Sequence, residues 1–424
     1  MSVRSFIAAV ERDVDALHSL VFRRGGEVVA EGAWHPYTLD TPHRLFSLSK
    51  SFTSTAAGYA VAEGLLDIDE PVAKYCDGRG DPRMLVRHLL TMTTGHVVEP
   101  QPSGEDWLER FLATPVEREP GTHWLYNTAA TYALGAIVQR LTRQRLVDYL
   151  RPRLFDPLGF GPVTWERCPQ GRDVAGWGLS ARTHEVARFG QLYLHDPDGI
   201  LPPGWAEQAT RAQADNDDGG DLPDWNQGYG FQFWRCRHNA FRGDGAFGQF
   251  CVVIPDRDAV LAMTGGTTQM QRVLDLVWEH LLDDLAPSAT GPLALPTVPG
   301  GPSNVEGRFV VTEPRRHRPG DWRPSHEHAP TIHAVTLAPG RVVIEDAFGT
   351  HEHPYAHDAW VPNGATAATG AWNGDAFTLR VAHVDGPFIR TYRCALRGDE
   401  LVIDPSDNVS FGPTAYPRVR ATRA

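Results

Sequence analysis

Ser47 and Lys50, in the stretch "HRLFSLSKSFTSTAAGYAVAEG", are the residues whose types and spacing point most directly to chemistry. Lysine is nearly absent from the chain: among 40 Lys and Arg side chains only Lys50 and Lys74 are lysines. If Ser47 opens a helix, Lys50 lies one turn on, on the same face, within reach of the serine hydroxyl. The helix N-terminus adds positive potential at the serine, which favours an alkoxide or oxyanion there. An amine accepts the serine proton only if its pKa falls from about 10.4 towards neutrality, a shift of about 4 kcal/mol that apolar burial can supply. Arginine keeps its proton inside a protein and cannot substitute. Ser-x-x-Lys also arises by chance, so the surrounding elements have to support it.

The stretch "ALHSLVFRRGGEVVAEGAW" predicts a hairpin around Gly25-Gly26. Small residues at Ala56, Ala57, Gly58 and Ala60 predict a closely packed, buried helix after Ser47. The middle of the chain mixes helical patterns with Pro/Gly loops. "AFGQFCVVIPDRDAVLAMTGG" reads as two strands joined by a Pro-Asp turn. A helix follows, with Met270, Val273, Leu274, Val277, Trp278, Leu281, Leu282 and Leu285 on one apolar stripe. Strands at both ends of the first 285 residues suit one domain whose termini lie side by side in a sheet. Residues 288–303 have the Pro/Gly density of a linker. Beyond them, short β-like runs predict a small all-β domain of seven or eight strands, a barrel or sandwich.

With 424 residues, two domains are the default expectation. A formal net charge of −12 argues against nucleic-acid or anionic-membrane partners, which require a basic surface. No run approaches the 18 apolar residues of a membrane span. The stretch "MSVRSFIAAVERDVDAL" has too short an apolar run for a signal peptide. Cys76, Cys168, Cys236, Cys251 and Cys394 are odd in number and widely spaced, fitting neither a disulfide framework nor a Cys-x-x-Cys metal site. These features predict a cytoplasmic setting.

The chain resembles the serine β-lactamase-like superfamily, in particular class C β-lactamases and their esterase, D-aminopeptidase and amide-hydrolase relatives. "FSLSKSFTS" is similar to the nucleophile motif, "MLVRHLLTMTTGH" to the loop ending in Thr/Ser-Gly, and "LYNTAATYALGAIV" to the block with the catalytic tyrosine. "LFDPLGF", "WGLSARTHEVARFGQLYLHDPDG" and "FRGDGAFGQFCVVIPDRDAV" resemble three further blocks. Together the six cover about residues 15–285 in order. The resemblance implies an α/β (α+β) fold of β-lactamase/transpeptidase type over residues 1–287: an antiparallel sheet flanked by helices, plus a helical lobe. Residues 304–424 would then form a lipocalin-like or similar β-barrel.

The resemblance implies that Ser47 is acylated, that Lys50 is its base partner, and that Tyr126 relays the proton to the leaving group. It also implies an oxyanion hole from the backbone N–H groups of Ser47 and of Phe247, with Ala246 as the alternative. Substrate would meet Thr128, Asp244, Gly245 and Ala246. Two departures matter. Thr128 stands where the family often has an amide, with Asn127 one place early and facing elsewhere. The family's Lys-Thr-Gly appears as Asp244-Gly245-Ala246. An acid there repels a substrate carboxylate by about 1 kcal/mol or more, which argues against efficient β-lactamase activity. The expected substrate is a neutral ester, amide or peptide, or one whose cationic group pairs with Asp244. The plainer alternative makes Asp244 a turn or surface carboxylate beside Arg242.

No cofactor is required and no metal is expected. His326, His328, His351, His353 and His357 enrich the β region in histidine, as exposed polar positions would. His96 follows the Thr-Gly loop and borders the cleft or is a plain loop histidine. "DNDDGGDLPDW" reads as a solvated acidic loop. Trp107, Trp124, Trp177, Trp225 and Trp234 are core or cleft aromatics. Two rivals to hydrolysis stay open: acyl transfer to an amine, as in an acyltransferase or peptide cyclase, and a non-catalytic binding or scaffold protein. Oligomeric state is not legible in the sequence.

Overall fold

The computed structural model describes residues 2–101, 104–283, 289–302, 305–314 and 329–424. The inner strands of its central sheet, Gln249–Ile254 and Ala259–Gly265, read as nearly continuous apolar runs because both faces are covered. The strand order is Leu293–Ala294, Glu27–His35, Leu17–Arg24, Ala259–Gly265, Gln249–Ile254, Phe241–Gly245, Trp234–Arg235. Alternate residues serve alternate cores. Leu20, Phe22, Phe250, Val252, Ile254, Leu261 and Met263 pack with helices Val3–Asp13 and Met270–His280. Val21, Cys251, Val253, Val260 and Ala262 join the other core, with helices Ser49–Ala62, Thr128–Thr142 and Thr183–Leu194. The predicted hairpin is present, with Arg24 opposite Glu27, and Leu17–Arg24 pairs antiparallel with Ala259–Gly265. Leu285 of the predicted apolar stripe lies outside the described residues.

Two expectations are corrected. Part of the 288–303 segment does not act as a free linker. Leu293 and Ala294 pair in parallel with Trp34 and His35, which makes the sheet edge parallel, and Leu295 and Val298 are buried. Pro/Gly density marked the bends of this segment and not its contacts. The barrel has ten strands in place of seven or eight, running antiparallel in the order Gly349–Pro354, Arg341–Asp346, Ala334–Ala338, Gly307–Val311, Val419–Arg423, Glu400–Asp407, Ile389–Arg397, Ala376–His383, Thr366–Asn373, Val361–Asn363. Its two end strands meet to leave it nearly closed. The polar strand "GTHEHP" and the three-residue Val361–Asn363 carry no alternating apolar signal, so pattern alone passes over them. Trp360, Ala367, Ala382 and Ile389 of the barrel join the core shared with Trp34 and Leu295. The five cysteines are free and buried.

Candidate active site

The chain leaves strand His43–Arg44, makes a 3₁₀ turn at Phe46–Leu48, and only then enters helix Ser49–Ala62. Ser47 therefore sits in the turn that leads into the helix, and Phe46 adopts φ 47°, a left-handed conformation unusual without glycine. The expected spacing still delivers its contact. Lys50 Nζ lies 2.9 Å from Ser47 Oγ and donates to the Gly176 carbonyl at 2.7 Å. Lys50 is 2 % exposed. Burial brings its amine down to about 7, against the opposing pull of the Glu99 and Asp244 charges. A neutral amine at this distance can take the hydroxyl proton.

Tyr126 precedes Asn127, the N-cap of helix Thr128–Thr142. Asn127 Oδ1 accepts from the Ala130 N–H at 3.0 Å and its Nδ2 donates to Thr94 Oγ1 at 3.3 Å, so this buried amide is spent on capping and on the Thr94 loop. The Tyr126 hydroxyl hydrogen-bonds Ser47, and Lys50 Nζ stands 4.9 Å from the Tyr126 ring centre. Burial first, then the nearby Asp244, pushes the phenol well above its ordinary value, so it holds its proton. Thr128 donates its backbone N–H to Glu99 Oε1 at 2.6 Å and packs against Gly176, where an added Cβ would meet Thr128 Cγ2 at 2.7 Å. Glu99 had no local signature in the sequence beyond its place just after the Thr-Thr-Gly loop.

Asp244 lies on strand Phe241–Gly245, and it is buried, not a surface carboxylate. Arg242 Nε and Nη2 each reach its Oδ2 at 2.8 Å. The same guanidinium, fully buried, donates to the Asp224 carbonyl and Cys236 Sγ and lies over the Trp225 and Trp234 rings at 4.2 and 5.4 Å. Asp244 is thus already paired within the chain. Burial raises its pKa, while Arg242 works in the opposite direction.

The other face of this strand is stripped of side chains because the nucleophile segment lies against it. A Cβ on Gly245 would stand 2.0 Å from the Leu45 carbonyl, and one on Gly243 would meet Leu48 and Ser51. The strand ends at Gly245. Ala246 and Phe247 belong to the hairpin turn beyond it, with Phe247 at φ 69° and its ring edge-on to Phe46 at 5.7 Å. Among the described residues the N–H groups of Ser47 and Phe247 are donated to no backbone carbonyl.

Other candidates fall elsewhere. His96 is buried against Phe111 and hydrogen-bonded to Thr94, which in turn holds the Asn127 amide. Trp124, Trp225, Trp234 and Tyr229 form an aromatic cluster on Tyr126, whose ring stacks on Trp234 at 5.5 Å. Trp107 stacks on Trp177, next to Gly176. The acidic loop is not uniformly solvated. Asp215, Asp217 and Asp218 make local turns, but Asp224 is fully buried on Arg237, Gln271 and Trp278 Nε1, and these bonds hold its carboxyl at about 2 against the opposing effect of burial. His351 and His353 line a barrel cavity of about 90 Å³ with His383, Asp346 and Arg390, and His357 lies outside it. His326 and His328 lie outside the described residues. Among the described residues no three His, Cys, Asp or Glu side chains are set to hold a metal, and no helix is long and apolar enough to cross a membrane.

The monacolin J acid methylbutanoyltransferase of Aspergillus terreus (strain NIH 2624 / FGSC A1156) is 30% identical over 194 residues, 38% of this chain and 46% of that protein. A lovastatin esterase from Penicillium rubens is 30% identical over 199 residues, 37% of this chain and 50% of that one. The chain thus spans about half the length of these curated relatives, which are named as acyltransferase and esterase. The octameric penicillin-binding protein homologue from Pyrococcus abyssi superposes over 100% of both chains, with a TM-score of 0.53 and 15% identity, a likeness of fold. A family model described as Beta-lactamase matches residues 9–280, the span that holds Ser47, Lys50, Tyr126 and Asp244. With that match over more than half its length, and with the sheet, helical lobe and serine turn described above, the chain belongs to the β-lactamase family.

Proposed function

We propose that the protein is a serine hydrolase that cleaves a neutral ester or amide through an acyl-enzyme on Ser47. The observation that carries this reading is the 2.9 Å contact between Ser47 Oγ and a buried Lys50 amine brought down to about 7. Lys50 Nζ takes the hydroxyl proton as Oγ bonds to the acyl carbon. The resulting oxyanion is held by the Ser47 and Phe247 N–H groups. Collapse expels the alkoxide or amine, which receives the proton by way of the Tyr126 hydroxyl. Water then attacks the acyl-enzyme by the reverse proton path, releasing the acid and restoring Ser47. Between the two candidate bases, Lys50 is favoured because its environment drives it neutral while that of Tyr126 keeps the phenol protonated.

Neutral substrates are favoured over anionic ones because Arg242 is committed to Asp244 and the Glu99 and Asp244 carboxylates flank Lys50. The same pairing weakens the alternative in which Asp244 binds a cationic substrate group. Transfer to an alcohol or amine is the second reading, favoured by the likeness to a protein named as an acyltransferase. Intact-mass labelling with a fluorophosphonate tests the proposal: one adduct on the wild type and none on Ser47→Ala is expected. A folded wild type without adduct sends the protein to the non-catalytic class. Product analysis with and without added alcohols or amines separates hydrolysis from transfer.

A further inference from the structure

Phe46 and Phe247 flank the candidate nucleophile and the candidate oxyanion turn, and both are non-glycine residues held at positive φ, 47° and 69°. Such conformations persist only where the surroundings over-determine them. Here the two rings pack on each other, and the rest of their aromatic surroundings comes from the barrel. Phe388 and Phe411 of the barrel lie 6.3 and 5.7 Å from the Phe46 ring and 5.9 and 4.7 Å from that of Phe247, and Val409 completes the cluster.

Backbone ties accompany the rings. The Arg44 N–H, three residues before Ser47, donates to the Asp385 carbonyl at 2.8 Å. Asn408 Nδ2 donates to Gly266 and Pro387 carbonyls at 2.9 Å each, and its Oδ1 accepts the Ile389 N–H at 2.7 Å. Gly266 adjoins Thr267, whose N–H donates to the Phe247 carbonyl at 3.2 Å. Two barrel loops, 385–388 and 408–411, therefore touch both halves of the site: the segment that ends at Ser47 and the hairpin that presents Phe247.

We propose that the barrel sets the register between the Ser47 and Phe247 backbone donors, with Phe388, Asn408 and Phe411 as positioning residues. This rests on Ser47 as nucleophile and Phe247 as its oxyanion partner. The barrel is then part of the catalytic apparatus without touching the reacting atoms. Displacement of a catalytic group by about 1 Å costs about 100-fold in rate, so small relaxations of the turn are measurable.

Phe411 allows a clean test because it is 65% exposed, so its truncation leaves the core intact. The expected result for Phe411→Ala is a fall of about tenfold in kcat for a neutral ester and in the rate of fluorophosphonate labelling, with KM unchanged. Asn408→Ala is expected to fall further, by about 100-fold. Phe411→Leu, which refills part of the contact, is expected to recover most of the rate. Unchanged kcat in a folded Phe411→Ala overturns the proposal, as does a rise in KM at constant kcat, which would make Phe411 a substrate contact. A wild type that fails to label at Ser47 removes the underlying reading as well, and labelling with no effect of either variant removes this inference alone.

Discussion

Lys50 and Arg242 are two buried basic side chains on the two sides of the candidate site, and their surroundings act on charge in opposite ways. Lys50 is surrounded by a hydroxyl, a carbonyl and an aromatic ring, and burial drives it towards its neutral form. Arg242 is surrounded by a carboxylate, a carbonyl, a thiol and two indole rings, and it stays charged. On the proposed reading the first environment prepares a proton acceptor, while the second fixes an ion pair on strand Phe241–Gly245 beside its aromatic neighbours. At these two positions the choice between lysine and arginine separates a charge that can be shed from one that is kept, whereas Lys74 is an ordinary surface partner of Glu70.

The most severe way to break the contrast is Lys50→Arg, which keeps the charge but removes the removable proton. Its kcat/KM for a neutral ester is expected to drop about 10⁴-fold or more. Residual activity near that of the wild type would end the amine-base account. Next in size, Asp244→Asn leaves a buried guanidinium without its counter-charge. Denaturant unfolding should show a loss of about 3–5 kcal/mol, the usual cost of breaking a buried pair on one side. Tyr126→Phe keeps the ring stack on Trp234 and loses the hydroxyl, so kcat is expected to fall about 10²–10⁴-fold while stability barely moves.

The subtlest distinction lies in pH. With Lys50 as the proposed base, activity needs its neutral form, so kcat/KM should rise with pH through an acid limb centred near the amine's value of about 7. Stability responds with the same sign. The unfolded chain keeps this proton up to about pH 10.4 whereas the folded chain sheds it from about 7, so stability rises with pH across that window. Lys50→Met should flatten the dependence in unfolding measured at several pH values. An unchanged slope would show that Lys50 is not the group responsible.

What the sequence made legible follows the same divide. Ser47, Lys50 and Tyr126 could be singled out as candidates because the proton transfer proposed for them demands those side chains at a fixed spacing or in a recognisable block. Glu99, Asp224 and the carbonyl and indole partners of Arg242 escaped it because they are brought together from distant segments, as when Trp278 meets Asp224, while the Arg242–Asp244 pair itself is local. The hairpin and the apolar strands were legible because both sheet faces are buried, whereas the barrel strands "GTHEHP" and Val361–Asn363 lack that signal. The barrel's contact with the nucleophile turn was invisible, since Phe388, Val409 and Phe411 are ordinary apolar residues until the fold brings them to Phe46.

The pairing of Leu17–Arg24 with Ala259–Gly265 sets the order of events during synthesis. The central strand can find its neighbour only after the whole helical lobe has left the ribosome, and closing so long a loop is entropically costly and slow. Ser47 and Phe247 both lie inside that loop, so neither half of the proposed acyl site can be set until the sheet zips. On the proposed reading a nascent chain has no assembled site until most of it has been made.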